Sequence, residues 1–597
     1  MLKLLKFGLL LCIQFCLGSA LTVFAADEEF IIENGVLTQY TGAGGTVIIP
    51  SDVNRIGAGA FEDRADVSSV IIPDSVAYID YEAFAGCTGL TSVAVPTSVV
   101  RIGDYAFSRC SNLSEVTLSE GILEIGESAF AECTSLVRLT IPEGVTEIGI
   151  CAFSYCSSLQ SMIIPSTVSE INGCTFIGCT NLQSVTILDG VIRIKSQAFN
   201  GCTGLYDVSI PSSVTEIGAF AFQDTPWLEN AQGEFVVINN ILIKYNGIGG
   251  SVTMPMNIII PENVETIGAD ALPYLNSSDN VIVPTSVTTF GNFVRTAKFN
   301  SDYQGEYPVI NGVLLAYRGD GGDVLIPEGI VKIGESAFYG NECRTIVIPE
   351  GVVEIGDAAF CQCINLTEIT LPESLSQIGD SVFEGCSSLT NIEIPSGVNQ
   401  IGHAVFRRCE SLTYMEIPEG VTQIGNEAFA GCTNLAKMIL PDGLAKIGKE
   451  SFAGCCSLED ITIPESVARI GLGAFGGCSK LANITIPANV AEIDEFAFRG
   501  CSNLSEVVIQ NRNIAIGSYA FYGTGVQIPY YEESTTASQD TAQILPAEEK
   551  GVGYKTDSSK TGIPFIPVSV AVVAILVGIY VTVRTFGKKK LQKEGEV

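Results

Sequence analysis

The chain is patterned by one hydrophobic repeat rather than by separate helices and strands. Phenylalanine recurs at Phe61, Phe84, Phe107, Phe130, Phe153, Phe176, Phe199 and Phe222, each 23 residues apart. A second series runs Phe338, Phe360, Phe383, Phe406, Phe429, Phe452, Phe475, Phe498 and Phe521, again 23 apart after one 22-residue step. A period of roughly 20 to 29 residues marks stacked coils. In the unit Leu136 to Leu159, Leu136, Leu139 and Ile141 alternate with Arg138 and Thr140, the pattern of a short strand with one buried face. Pro142 ends it, since proline has no N–H for a continuing ladder. Val145 and Ile148 point back inward past Gly149, and Ala152, Phe153 and Cys156 share one side of a predicted helical turn. No single coil buries these residues, so neighbours above and below must complete the core.

This pattern, Leu-x-x-Val-x-Ile-Pro-x-x-Val-x-x-Ile-Gly-x-x-Ala-Phe-x-x-Cys, resembles that of the BspA-like leucine-rich-repeat surface proteins. The stretch Ile141-Pro142-Glu143-Gly144-Val145-Thr146-Glu147-Ile148-Gly149 matches it residue for residue. The resemblance covers nearly all of residues 30 to 525. It implies a leucine-rich-repeat solenoid with parallel β-strands on the concave side and helical turns and loops on the convex side. It also implies a microbial surface location, some members of the family being adhesins for host matrix proteins or other cells.

A second repeat lies inside the first. Phe30 to Pro50, Phe235 to Pro255 and Tyr307 to Pro327 share one frame, each with an Asn-Gly or Asn-Asn pair (Asn34-Gly35, Asn239-Asn240, Asn311-Gly312) and a tyrosine (Tyr40, Tyr245, Tyr317). Asn-Gly between apolar runs signals a tight hairpin. The first copy stands where a terminal cap must cover the open end of the stack, and each copy is expected to restart or bend it. Between the arrays the units degenerate, with Leu272 in a phenylalanine slot and Arg295 in the next. The expected organisation is a signal peptide over 1–26, a capping hairpin over 27–50, a first array over 51–232, a hairpin with degenerate repeats forming an elbow over 233–304, a third hairpin over 305–327, a second array over 328–529, a flexible polar stalk over 530–562, a transmembrane helix over 563–583 and a basic cytoplasmic tail over 584–597.

The two ends set the expected location. Lys3 and Lys6 precede an apolar run that closes on Ala25 and Ala26, a secretory signal. Ile563 to Val583 is uncharged and long enough to span a bilayer, with Arg584, Lys588, Lys589, Lys590 and Lys593 just after it. That basic flank places the tail in the cytoplasm and the rest outside. A sortase-type wall anchor is the alternative, although Ser558-Ser559-Lys560-Thr561-Gly562 lacks its Leu and Pro.

Composition then narrows the chemistry. A net charge of −34 repels nucleic acid, so no phosphate-backbone partner is expected. Cys87, Cys110, Cys133, Cys156, Cys179, Cys202, Cys363, Cys386, Cys409, Cys432, Cys455, Cys478 and Cys501 each follow the repeat phenylalanine by three, one slot copied along the stack. They read first as small buried side chains, with inter-coil disulfides or a metal role as alternatives. Cys151 and Cys174, two before the phenylalanine in consecutive coils, are the candidate disulfide. His403 is the single histidine and is expected at a solvated position, which argues against metal sites and nucleophile–base pairs. Neither an enzyme nor a cofactor is expected. Binding is expected instead on the outward strand positions of the second array: Glu368, Asn391, Glu393, Tyr414, Glu416, Lys437, Asp460 and Asn483, with Tyr414 as anchor. The reading is a surface protein mediating protein or cell adhesion to matrix, mucin or other cells. The alternative is a passive coat or spacer.

Overall fold

The computed structural model describes residues 29–246 and 305–526 throughout; between them it describes 257–268, 271–272, 280–291 and 298–299, and beyond them the strand Ala542–Ile544. The chain divides into two compact units, Met1–Ala547 and Glu548–Val597, and every described residue belongs to the first. The signal peptide, the span 563–583, the basic tail and Arg295 lie outside the described residues.

Each coil has three sides, and each side is laddered to the next coil by backbone hydrogen bonds. The first side carries the longer strands, such as Ser161–Ile164, Ser184–Ile187 and Asp207–Ser209, paired in parallel with Ser161 opposite Ser184 and Ser184 opposite Asp207. Alternate residues Met162, Ile164, Val185 and Ile187 are buried and those between face outward. In the unit Leu136 to Leu159 this strand shrinks to one bridge, Glu115 to Arg138, while Leu139 and Ile141 stay buried. The proline after the strand starts the next corner: the Val145 N–H donates to the Pro142 carbonyl at 3.1 Å. The second side is a ladder of two-residue strands ending in the repeat isoleucine, including Arg55–Ile56, Tyr78–Ile79, Arg101–Ile102, Glu124–Ile125 and Glu147–Ile148.

The third side holds the phenylalanine and differs from expectation. It is not helical; among the described residues the only helix is Pro226–Glu229. The residues two before and two after each phenylalanine take left-handed conformations, for example Glu82 (φ 53°) and Gly86 (φ 69°), or Tyr105 (φ 58°) and Arg109 (φ 61°). Those twists turn three N–H groups of each coil toward the following one. Glu82, Phe84 and Gly86 donate to the carbonyls of Asp104, Ala106 and Ser108 at 3.0, 2.7 and 2.8 Å. A helix would have spent these bonds within the coil, where stacking gains nothing from them.

The phenylalanines form a buried spine in each array, Phe61 to Phe222 and Phe338 to Phe521. Neighbouring rings lie 4.7–5.6 Å apart, and planes such as Phe130–Phe153 are parallel within 1°. The spine is closed at its ends by related groups: Tyr40 stacks on Phe61 at 5.0 Å, Trp227 covers Phe222 at 4.7 Å, and Tyr317 stacks on Phe338 at 4.9 Å. Thr225 caps the short helix that delivers Trp227.

Three antiparallel hairpins, Phe30–Glu33 with Val36–Tyr40, Phe235–Ile238 with Ile241–Tyr245, and Val309–Ile310 with Val313–Leu314, precede the three stretches of coils. Both central turn residues have positive φ in each: Asn34 and Gly35, Asn239 and Asn240, Asn311 and Gly312, the tight turn that suits strand twist. Each second strand extends a two-residue ladder in parallel, with Leu37 opposite Ile56, Leu242 opposite Ile267 and Leu314 opposite Ile333. The turn asparagines also tie back: Asn239 donates to the carbonyls of Pro211 and Val214, and Asn311 to those of Pro284 and Val287. The buried core falls into three clusters that change over at the second and third hairpins, 37–241, 242–315 and 314–521. Leu272 keeps the buried phenylalanine slot in the middle one.

Candidate functional site

The strand face positions the expected binding residues. Glu368 pairs with Asn391, Tyr414 with Lys437, and Lys437 with Asp460, so these residues form one column across successive coils. Glu393 and Glu416 stand two residues further along their strands. All seven are exposed, because the residues between them (Ile369, Ile392, Met415, Met438) point inward. Tyr414 is 38% exposed, and its hydroxyl donates to Glu416 at 2.8 Å. It is not the most exposed tyrosine; Tyr206, just before a strand of the first array, is 66% exposed. The second column contains a feature that the repeat does not require. Where most coils have Thr, Ser or Glu, the first two coils of the three stretches carry exposed aliphatic pairs in register: Ile48 with Ile71, Ile259 with Ile282, and Leu325 with Val347.

The second site is one that sequence reasoning missed. The two-residue ladders of the first and second arrays lie against each other in reversed order. Glu147 meets Lys446 at 3.4 Å, Glu124 meets Arg469 at 2.6 Å, and Arg101 meets Asp494 at 3.0 Å and Glu495 at 3.4 Å. Arg55 reaches Glu492 at 3.1 Å and Asp80 at 3.1 Å. Lys449 binds both Asp104 at 2.6 Å and Glu127 at 2.7 Å, and Ser518 donates to Asp80 at 2.9 Å. Tyr81 packs edge-on against Phe496 with centroids 5.6 Å apart. Arg55, Arg101, Asp80, Asp104, Asp494 and Glu495 are all buried.

The sequence does carry a signal for this seam. Four residues before the phenylalanine nearly every coil has glycine, because a Cβ there would strike the backbone of the preceding coil, as at Gly103, 2.7 Å from the Asp80 carbonyl carbon. Asp80, Lys195 and Asp494 occupy that slot instead. Asp80 and Asp494 anchor the seam, and Lys195 lies 3.6 Å from Asp380 of the other array. All three charged departures from the glycine slot lie in coils that touch across the arrays, and coils that keep the glycine, such as those of Gly126 and Gly448, touch there as well.

Burial and charge pull against each other within the seam. Burial pushes the Asp80 carboxyl well above the usual carboxylate range despite Arg55, and Glu495 adds to the push. Burial also lifts Asp494 to about 7 against Arg101 and Arg469. At Glu124 and Glu495 the arginines overcome burial and hold the carboxyls down at about 2. Toward the elbow the seam opens into a polar cleft of about 790 Å³, lined among others by Arg193, Lys195, Glu216, Lys332, Glu354 and Asp380.

The cysteine slot has a specific role. Each of the thirteen ladder thiols donates to the carbonyl of the phenylalanine in the preceding coil, at 3.0–3.3 Å. The slot therefore needs a small apolar side chain that is also a weak donor, which is what a thiol supplies. Burial pushes the thiols up, to about 12 for Cys87, Cys156 and Cys432. All the described cysteines are free thiols, Cys151 and Cys174 included, and those two are only partly buried. His403, expected in solvent, is half-buried between coils, its ring Nδ1 3.1 Å from the Asn426 carbonyl and its backbone N–H donating to Asp380 at 2.9 Å. Among the described residues no group of three or more His, Cys, Asp or Glu is placed to hold a metal ion. No described helix is long and apolar enough to cross a membrane.

The chain is similar to a leucine-rich repeat protein from Bacteroides ovatus ATCC 8483, 23% identical over 78% of this chain and 92% of that one, with a TM-score of 0.32. It is similar to a leucine-rich cell surface protein from Faecalibacterium prausnitzii A2-165, 26% identical over 73% and 93%, with a TM-score of 0.24. A leucine-rich repeat protein of T. pallidum is 30% identical over 32% of this chain and 83% of that one, with a TM-score of 0.27. No curated protein matches the chain. The BspA type leucine-rich repeat region, in 6 copies, matches residues 39–156, 123–241, 252–297, 322–436 and 400–528. Those segments take in both arrays, most of the elbow and far more than half of the sequence, and the chain belongs to the BspA-type leucine-rich-repeat family.

Proposed function

We propose that this is a cell-surface binding protein that mediates protein or cell adhesion through the long-strand face of its solenoid. The observation that carries the reading is the aliphatic pairs, Ile48 with Ile71 and Leu325 with Val347, exposed in register on adjacent coils, where most other coils carry Thr, Ser or Glu and aliphatics such as Ile163 and Ile439 stand singly. Exposed apolar side chains on a soluble sheet are retained when a partner covers them. The acidic and polar column through Glu368, Asn391, Tyr414, Lys437 and Asp460 supplies a polar rim for the second pair. The partners are extracellular proteins or glycoproteins, such as host matrix or another cell. A secretory signal over 1–26 exports the chain, and a span over 563–583 with the basic tail retains it.

The test uses the purified ectodomain, residues 27–562, against immobilised matrix proteins, mucins and microbial cells. Saturable binding is expected, weakened at least about tenfold by Ile48→Thr with Ile71→Thr and by Tyr414→Ala. Binding unchanged in both variants removes this face as the site. The absence of saturable binding to any of the three leaves the spacer reading.

A further inference from the structure

Two thiols stand apart from the cysteine ladder. Cys151 and Cys174 occupy the left-handed position two before the phenylalanine in consecutive coils, each with φ of 56°. The Cys151 N–H donates to the Gly173 carbonyl at 3.1 Å, and the Cys174 N–H to the Ser196 carbonyl at 3.1 Å. One coil therefore rides directly on the other at this point, at a strand-like spacing of about 5 Å, inside the range of Cα separations that a disulfide spans. The Cys174 thiol lies 3.8 Å from Gln197 Oε1 in the next coil, and the Cys151 and Cys174 thiols interact with each other, which raises the first and lowers the second. Neither thiol fills the core. The same slot holds Glu82, Tyr105, Ser128 and Gln197 in nearby coils, so the fold asks for no cysteine here. The ladder thiols are buried and committed to carbonyls; these two are partly open to solvent and occupy the same slot in adjacent coils.

We propose that Cys151 and Cys174 form a reversible dithiol–disulfide site on the turn side of the first array, with Cys174 as the attacking thiol and Cys151 as the resolving one. The oxidant is a low-molecular-weight disulfide. The Cys174 thiolate attacks one of its sulfurs, forming a mixed disulfide and releasing one thiolate. Cys151 loses its proton and attacks the Cys174 sulfur, releasing the second thiol and closing the Cys151–Cys174 bond. Two protein thiols are oxidised and one external disulfide is reduced to two thiols. The asymmetry comes from the pair itself. The interaction with Cys151 lowers the Cys174 thiol against the effect of burial, and the same interaction together with burial raises Cys151.

The test treats the full chain with oxidised glutathione at neutral pH, alkylates, digests and reads the cysteine peptides by mass spectrometry. The expected product links the peptides of Cys151 and Cys174 with loss of two hydrogens, and dithiothreitol reverses it. Cys151→Ser keeps a hydroxyl donor in a slot that Ser128 already fills, so Cys174 should accumulate as a stable mixed disulfide. Cys151→Ala should form it about tenfold more slowly, and Cys174→Ser should leave Cys151 about tenfold slower than Cys174. Circular dichroism confirms that each variant is folded. Independent alkylation of both thiols after oxidation, equal rates in the single variants, or linkage to a ladder cysteine overturns the proposal.

Discussion

Removing Arg101 is the sharpest test of the seam between the arrays. Its guanidinium lies 3.0 Å from Asp494, 3.4 Å from Glu495 and 3.4 Å from Glu124, and the residue is buried. Arg101→Ala leaves those carboxyls without one of the cations that ionise them. Breaking a buried pair from one side costs about 3–5 kcal/mol, since the orphaned charge stays desolvated. Each array has its own core cluster, so the loss should appear as separation of the arrays before the coils unfold. In urea, Arg101→Ala should show an early transition absent from the parent, and small-angle scattering should record a larger radius of gyration before the main transition. Adding Asp494→Ala should recover part of the loss, with a coupling of about 0.5–3 kcal/mol. Arg344→Ala is the control: its pair with Asp323 is exposed on both sides and should change nothing measurable. If Arg101→Ala leaves both the radius and the denaturation curve as in the parent, the arrays do not meet through this residue in solution.

Three further outcomes follow from the same geometry. Stability should be highest near pH 4–5: Glu124 and Glu495, held at about 2, lose their stabilising effect as pH falls from about 4.5 toward 2, whereas Asp494, raised to about 7, destabilises the fold as pH climbs from about 4 through 7. Asp494→Asn should flatten the alkaline side of thermal melts across that range, and an unchanged slope removes Asp494 as its source. Phe153→Ala should cost about 3–5 kcal/mol in urea unfolding, because its ring lies fully buried between Phe130 at 5.6 Å and Phe176 at 5.4 Å; a cost below about 1 kcal/mol would deny the spine its role. Native protein at pH 8 should expose only off-ladder thiols to a colorimetric thiol reagent, the ladder reacting on unfolding; prompt reaction of Cys432, held up at about 12 by burial, contradicts the ladder.

The spine was legible because Phe61 to Phe222 and Phe338 to Phe521 keep strict register, and only coils in contact require that. The hairpins were legible because Asn34-Gly35 and Asn311-Gly312 carry turn chemistry in two letters. The helical turn was misread for a physical reason. Ala152, Phe153 and Cys156 have spacings that fit a helix equally well, and the left-handed residues beside them, such as Cys151 and Tyr155, are not glycines that would have announced the twist. Tyr414 and its column were correctly placed on the outer surface by alternation alone, but a ligand leaves no periodic trace in one chain. The seam was hidden because Arg101 and Glu124 look like solvated positions until coils hundreds of residues away cover them. Asp80, Lys195 and Asp494 in the glycine slot were the visible clue, and it becomes readable only once the slot's backbone contact is known.

The reversed pairing of the ladders also limits how such a gene can grow. Duplicating one 23-residue unit is the easiest change a repeat sequence undergoes, and in an isolated stack it adds length at little cost. Here a unit inserted between Glu124 and Glu147 would shift one side of the seam by a whole coil, so that Lys446 and Arg469 could not both keep their carboxylates. The lengths of the two arrays are thus inherited together. Expansion is tolerated only near the elbow, where Lys195 and Asp380 form the last ion pair between the arrays among the described residues.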